Sequence, residues 1–232
     1  MEGLPIFVWR RVSDPCRAAC GRHGTLVAMS APSARTTGLL LAAGAGRRYG
    51  GPKALARSDG EAWVVRSARA LLDGGCGDVL VVTGAEADGV ERVLADAEGM
   101  QRVATTFCGT WEQGMGESLR AGLTSLVSRG RTVPLLAVVH LVDLPDVGAE
   151  VVARLLDEGG ARPSTLARAA YRGTPGHPVS IGQEHWQQVL GGASGDAGAR
   201  AYLRRARPAL VECGDLASGR DVDEQPLRGR PR

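Results

Sequence analysis

Downstream of Thr37 the chain alternates compact apolar runs with stretches whose apolar residues recur every three to four positions. The run 37–43 (TGLLLAA) reads as a strand, and a glycine-rich loop follows it. Over 61–72, Trp63, Val64, Ala68, Leu71 and Leu72 fall on one face, which predicts a helix. A strand at 78–83, a helix at 86–97, a weaker strand at 102–107 and a helix at 116–128 continue the alternation. Residues 134–142 (PLLAVVHLV) are apolar almost throughout, the pattern of a strand buried on both faces and therefore central. Beyond Asp143 the pattern loosens: a helix at 149–158, strands near 164–171 and 178–181, helices near 184–190 and 197–206, and a last strand at 209–213. This alternation predicts an α/β fold, a mostly parallel sheet wrapped on both sides in a Rossmann-like three-layer αβα arrangement. No repeat or low-complexity linker interrupts it, so a single domain over 36–227 is expected.

Composition bounds the function classes. Of 232 residues, 44% are hydrophobic and 23% charged, which excludes collagen-like and coiled-coil chains. No uncharged apolar stretch approaches the roughly 18 residues of a membrane span. The net charge of +3 hides a partition. Residues 1–35 carry five arginines against Glu2 and Asp14, and residues 228–232 carry three arginines and no acid, so the intervening chain is net negative. Basicity belongs to the ends, and a nucleic-acid-binding core is not supported. Residues 1–35 lack a sustained period and the apolar stretch of a signal peptide, and although Arg-rich like a transit peptide they have weak helical amphipathicity. They read as a disordered or mis-started N-terminal extension, with Met29 the natural start, and 228–232 as a basic tail. Five cysteines without paired spacing predict free thiols in a reducing compartment and a cytoplasmic protein. Cys16, Cys20 and His23 match no standard zinc spacing.

The strongest chemical signal lies in 41–55 (LAAGAGRRYGGPKAL), between the first strand and the first helix, where doubly wound sheets bind ligands. Gly44, Gly46, Gly50 and Gly51 let the backbone turn its N–H groups inward as an anion nest. Arg47, Arg48 and Lys53 add positive charge. The chain has 27 arginines and one lysine, Lys53, so a compact ammonium is retained at this position against a strong arginine bias. A Walker A loop would need Ser or Thr after the lysine, where Ala54 stands. A dinucleotide-binding GxGxxG would need glycine where Tyr49 stands. The competing reading is a mobile surface loop.

LAAGAGRRYGGPK resembles the LAAGxSxRxGxxK signature of nucleotidyltransferases that act on molybdopterin or on sugar and polyol phosphates. The resemblance continues through GESLRAGL (116–123), HLVDLP (140–145), GHPV (176–179), GDAG (195–198) and DVD (221–223), about 185 residues in all. GESLRAGL, GHPV and GDAG together are more similar to the molybdenum cofactor cytidylyltransferase branch than to the guanylyltransferase branch. The implied reaction takes CTP and molybdenum cofactor to the cytosine dinucleotide form and pyrophosphate, with a molybdenum enzyme as recipient of the product. The resemblance also implies a nucleotide site at Leu41, Ala42, Ala43, Gly44, Gly46, Arg48, Gly50, Lys53 and Ser118, the backbone of 41–43 and Ser118 facing base and ribose.

Asp143 ends the most apolar strand and should emerge at the C-terminal edge of the sheet, opposite the glycine-rich loop. A triphosphate needs its charge neutralised, and Mg²⁺ takes hard oxygen ligands, commonly one or two carboxylates with phosphates and water. Asp143 is read as its first ligand, against a role capping the helix near Ala149 or the turn at Pro145. Asp221 and Asp223 are two apart and share a face of an extended segment. The resemblance places them near the metal, Asp223 ahead of Asp221; the alternative is a solvated pair. Arg48, Lys53 and Asp143 are the expected catalytic residues. The acceptor's terminal phosphate is already ionised at neutral pH, so no protein base is required, in keeping with the lack of a Ser/His/Asp or Cys/His arrangement. His177 resembles an acceptor-side residue, against a turn simply ordered by Pro178. Three positions depart from the family pattern: Val142 in place of glycine, Ala197 in place of the lysine of GDKG, and DVDEQP without the usual Thr-Pro-Glu-Asp. They bear on the acceptor more than on the nucleotide. The other readings are a GTP- or sugar/polyol-phosphate-using transferase and, in another class, a non-catalytic protein delivering cofactor to a molybdenum enzyme.

Overall fold

The computed structural model describes residues 33–192 and 199–223. The proposed extension before residue 33, the 228–232 tail, Cys16, Cys20, His23 and the GDAG segment with Ala197 lie outside the described residues. Among the described residues there are nine strands and six α-helices. They are β1 (Ser33–Leu41), β2 (Arg57–Ser58), β3 (Glu61–Ala62), α1 (Trp63–Asp73), β4 (Cys76–Thr83), α2 (Ala87–Asp96), β5 (Val103–Phe107), α3 (Met115–Val127), β6 (Leu136–Leu141), α4 (Ala149–Gly159), β7 (Leu166–Tyr171), β8 (Thr174–Gly182), α5 (Trp186–Gly192), α6 (Arg200–Ala206) and β9 (Ala209–Glu212). Seven strands form one sheet in the order β5-β4-β1-β6-β8-β7-β9, with β8 antiparallel to both neighbours. The expected α/β architecture is the observed one.

Burial explains the order. β6, the apolar run, stands in the middle of the sheet with Leu136 to Val139 all buried. β5, the weaker strand, is an edge, and its Phe107 is 60% exposed. One face of the sheet packs Leu40, Val79, Val81 and Val138 against Leu71, Val90, Val152 and Leu155 of α1, α2 and α4. The other packs Leu39, Val82, Val139 and Ile181 against Leu123, Trp186 and Leu203 of α3, α5 and α6.

Some boundaries differ from the pattern. β1 starts at Ser33, ahead of the expected domain start at residue 36. The helix expected from residue 61 starts at Trp63, because Glu61 and Ala62 pair with Ser58 and Arg57 in a small hairpin. Asp59 and Gly60 both adopt positive φ there, as an Asp-Gly turn between two-residue strands requires. Residues 183–185 form a 3-10 turn before α5. Cys76, Cys108 and Cys213 are free and buried, as expected of free thiols. Among the described residues no helix is long and apolar enough to cross a membrane.

Candidate active site

β1 and β6 are parallel neighbours, and the chain leaves them toward opposite sides of the sheet, β1 leading to β4 and β6 through α4 to β7. The crevice beyond their C-terminal ends is where such sheets bind ligands. The glycine-rich loop leaves β1 there and Asp143 leaves β6. The loop is closed by Gly46, whose carbonyl accepts from the N–H groups of Gly50 and Gly51 at 3.0 and 3.2 Å. Gly46 has φ of 58°, and a Cβ would lie 2.0 Å from the Gly51 carbonyl oxygen, so a side chain cannot be accommodated. Around Gly44 nothing lies within 4 Å of where a Cβ would stand, leaving that backbone open to a ligand.

A cavity of about 420 Å³ opens over this loop. Leu41, Ala43, Gly44, Gly46, Arg48, Lys53, Ser118, Asp143 and Asp223 all line it, so most of the residues singled out in the sequence converge. Ala42 and Gly50 do not. Ala42 alternates to the opposite face, packs in the α1/α4 core and gives its N–H to the Val82 carbonyl. The Gly50 N–H is used within the loop, so the anion nest is narrower than the glycine count suggested.

Lys53 sits on a short 3-10 turn, Lys53–Leu55, and its Nζ donates to Asp143 Oδ2 at 3.0 Å and to Asp223 Oδ1 at 2.9 Å. Burial pulls the Lys53 pKa down, but the hydrogen bonds it donates to Asp223 and Asp143, with their charges, outweigh it and the net shift is upward, so the side chain is a cation. The same hydrogen bond and charge from Lys53 hold the Asp223 carboxyl below its ordinary range. Arg48 reaches Asp223 at 3.6 Å from a largely exposed position. Asp221 and Asp223 arrive on a tail segment fixed by the Val222 N–H, which donates to the Asp143 carbonyl at 3.0 Å. Val222 packs against the core, which turns the two flanking acids the other way. Ligand atoms of Asp143, Asp221 and Asp223 lie within 4.8 Å of one another. Asp143 Oδ1 is buried and has no hydrogen-bond partner. A three-carboxylate set with an unsatisfied buried oxygen fits a hard divalent cation.

His177 lies apart from this cluster and lines a second cavity of about 310 Å³ that adjoins the first along Leu41, Met115, Leu141 and Asp143. Its carbonyl accepts from the Tyr171 hydroxyl at 2.6 Å. Desolvation first, then the charges of Arg168 and other neighbours, lowers its imidazole to about 3, so it is neutral. Val142 is buried at the wall of the larger cavity, with its N–H given to the Leu41 carbonyl at 3.3 Å.

Trp111, Glu112, Tyr49 and Met115 also line the nucleotide-sized cavity and were not anticipated. Trp111 was detectable as one of four tryptophans, standing in a polar stretch after a weak strand where no core pattern requires it. It is held by Gly84, where a Cβ would come 2.7 Å from the indole.

The MobA-like NTP transferase domain model matches residues 38–210. Nicotine blue oxidoreductase of Paenarthrobacter nicotinovorans is 38% identical over 198 residues, covering 81% of this chain and 91% of that protein. Among solved structures, the homologue of Mycobacterium tuberculosis Rv0371c from Mycobacterium sp. strain JC1 is 25% identical with a TM-score of 0.64, covering 82% of this chain and 91% of that one. A nucleotidyl transferase from Methanothermobacter thermautotrophicus is similar in fold, with a TM-score of 0.67 at 19% identity over 82% of this chain and 92% of its own.

Proposed function

The chain belongs to the MobA-like NTP transferase family, and on that premise we propose that it is a Mg²⁺-dependent nucleotidyltransferase moving CMP from CTP to a molybdopterin-type acceptor with release of pyrophosphate. The observation that carries the reading is the meeting of the chain's one ammonium, Lys53, with Asp143 and Asp223 at the mouth of a cavity floored by the glycine-rich loop. In this reading Asp143, Asp223 and Asp221 hold the cation, which when bound neutralises charge on the triphosphate. Lys53 and Arg48 exchange carboxylate partners for phosphate oxygens and, with the loop N–H groups, orient the α-phosphorus. Leu41, Ala43 and Ser118 bound the space for ribose and base. The acceptor's ionised phosphate oxygen forms the new P–O bond as the bond to the bridging oxygen breaks and pyrophosphate leaves. Neutral His177 offers one ring donor and one acceptor to the second substrate.

The test is pyrophosphate release from CTP, GTP and ATP with molybdopterin and with sugar or polyol phosphates. Turnover of CTP with molybdopterin above the other pairs supports the reading. Preference for GTP or for a sugar phosphate reassigns the substrates, and no release from any pair overturns transfer. The name of the 38% identical relative favours a second reading, an oxidoreductase using a nucleotide in the same cavity. Oxidation of a reduced nicotinamide nucleotide by the protein in the presence of nicotine blue, without pyrophosphate release, would establish that reading over the first.

A further inference from the structure

The second cavity carries charges that the reaction as described does not use. Leu119, Val139, Val179, Ile181 and Leu203 give it apolar walls, Asp143 and Asp221 of the carboxylate cluster also line it, and Arg168 of β7 and Arg200 of α6 add two cations. Arg168 is half-buried and its Nε donates to the Gly176 carbonyl at 2.6 Å. Among the described residues neither guanidinium has a carboxylate within ion-pair distance, whereas Arg154 pairs with Asp215 and Arg129 with Asp78. Burial and then the charge of Arg200 pull the Arg168 pKa down. A half-buried guanidinium with no carboxylate at ion-pair distance and a second cation beside it costs free energy that a bound anion would recover.

Register separates Arg168 from Asp143 within the cavity that both line. Arg168 pairs with Val179 of β8, and Val179 with Val139 of β6, so the three side chains share a face and a row. Asp143 lies in the turn beyond the end of β6 at Leu141, and two strand spacings, about 10 Å, to the side. One small anion at Asp143 would not reach both.

We propose that Arg168 and Arg200 form an anion clamp for the acceptor. The site takes a compact molecule with an apolar body and two anionic groups, a phosphate directed to Asp143 and a second anion held between the guanidiniums. This rests on the nucleotidyltransferase reading for the first anion and on the cavity itself for the second. Arg168, Arg200 and the apolar wall thus select the acceptor, while the glycine-rich loop selects the nucleotide.

The experiment is a fluorescence titration of the full chain with naphthalene-1-sulfonate and with neutral 1-naphthol, alongside calorimetric titration with CTP. Wild type should bind the sulfonate at least about tenfold more tightly than the naphthol. Arg168→Gln and Arg200→Gln should each weaken sulfonate binding by about tenfold, the worth of one charge-assisted hydrogen bond, and leave naphthol and CTP binding unchanged. Arg200 is exposed and its replacement disturbs no core contact, so it carries the test if loss of the Arg168–Gly176 bond lowers stability. Arg168→Lys, which keeps a charge, should bind the sulfonate better than Arg168→Gln. Equal sulfonate binding by wild type and Arg200→Gln, or loss of sulfonate binding in Lys53→Met instead, overturns the clamp. If wild type prefers the sulfonate but does not bind CTP, the clamp stands and the nucleotide reading falls.

Discussion

Replacing Asp143 by asparagine separates a role in chemistry from a role in folding. The Lys53–Asp143 pair is 3.0 Å long between side chains 14% and 23% exposed. At an effective permittivity of about 20, that separation corresponds to a gross attraction of about 5 kcal/mol, most of it offset by desolvation of the two ions. Asparagine keeps the shape and a carbonyl oxygen that still accepts from Lys53, and Lys53 keeps Asp223 at 2.9 Å. The net loss in the free protein should therefore be about 1 kcal/mol, or a melting temperature about 2–4 °C lower for a chain of this size. The effect on transfer should be far larger, because the substitution removes a charged ligand for the cation together with the buried Oδ1 that has no other partner. Several kcal/mol of transition-state stabilisation is at stake, about a thousandfold in kcat at 4 kcal/mol. Thermal unfolding of wild type and Asp143→Asn with and without Mg²⁺ and CTP, paired with pyrophosphate release, reads both quantities. Wild type should gain stability with Mg²⁺ plus CTP beyond CTP alone, and the variant should not. Turnover within tenfold of wild type would refute the metal assignment. Loss of the folded state would show that Asp143 is chiefly structural.

Gly46→Ala forces a Cβ to within 2.0 Å of the Gly51 carbonyl at a positive φ, so the loop must open; CTP affinity by calorimetry should fall at least about tenfold while the sheet melts within a few degrees of wild type. Gly219 has φ of 62°, and a Cβ there would meet the Tyr171 ring at 2.2 Å. Gly219→Ala should therefore displace the tail that carries Asp221 and Asp223 and abolish the Mg²⁺-dependent rise in melting temperature, with metal-free CTP binding retained. His140 is fully buried, and desolvation, against an opposing pull from Asp146, lowers its imidazole to about 4. The unfolded chain takes up that proton near pH 6.5, so the contribution is complete above 6.5 and is lost as pH falls toward 4, up to about 3 kcal/mol. Urea midpoints measured across that window should fall, and His140→Met should flatten the curve; an unchanged slope would count against burial as the cause.

What was legible in the sequence follows from how local its cause is. Strand β6 declares itself because a strand covered on both faces must be apolar at every position, and the same logic marks β5 as marginal because an edge strand is not. Gly46, Arg48 and Lys53 are legible because their loop follows a strand of clear pattern, and Asp143 because it follows another; a parallel sheet brings the ends of those adjacent strands to one edge. Ala42 and Gly50 do not line the cavity because strand alternation sends the Ala42 side chain to the other face and the Gly50 N–H closes the loop, directions that composition does not report. The small hairpin at 57–62 was missed because strands of two residues have no period, although its Asp-Gly pair is a turn signal in its own right.

The acceptor side is a harder case. Arg168 lies in LARAAY, where a charge among small residues looks like the solvent side of an edge-type strand, and Arg200 lies in a run of arginines that composition alone explains. Their meeting depends on β8 reversing direction between β6 and β7, and on α6 returning over the face that β8 presents. No single segment encodes that juxtaposition. The nucleotide half of the site is built from consecutive β-loop-α units and can be found by motif, whereas the acceptor half is assembled from segments whose only common cause is the antiparallel strand. It follows that relatives can keep LAAG, Lys and Asp while differing in what they act on, and that naphthalene-1-sulfonate binding by Arg200→Gln reports on substrate identity where the loop motif cannot.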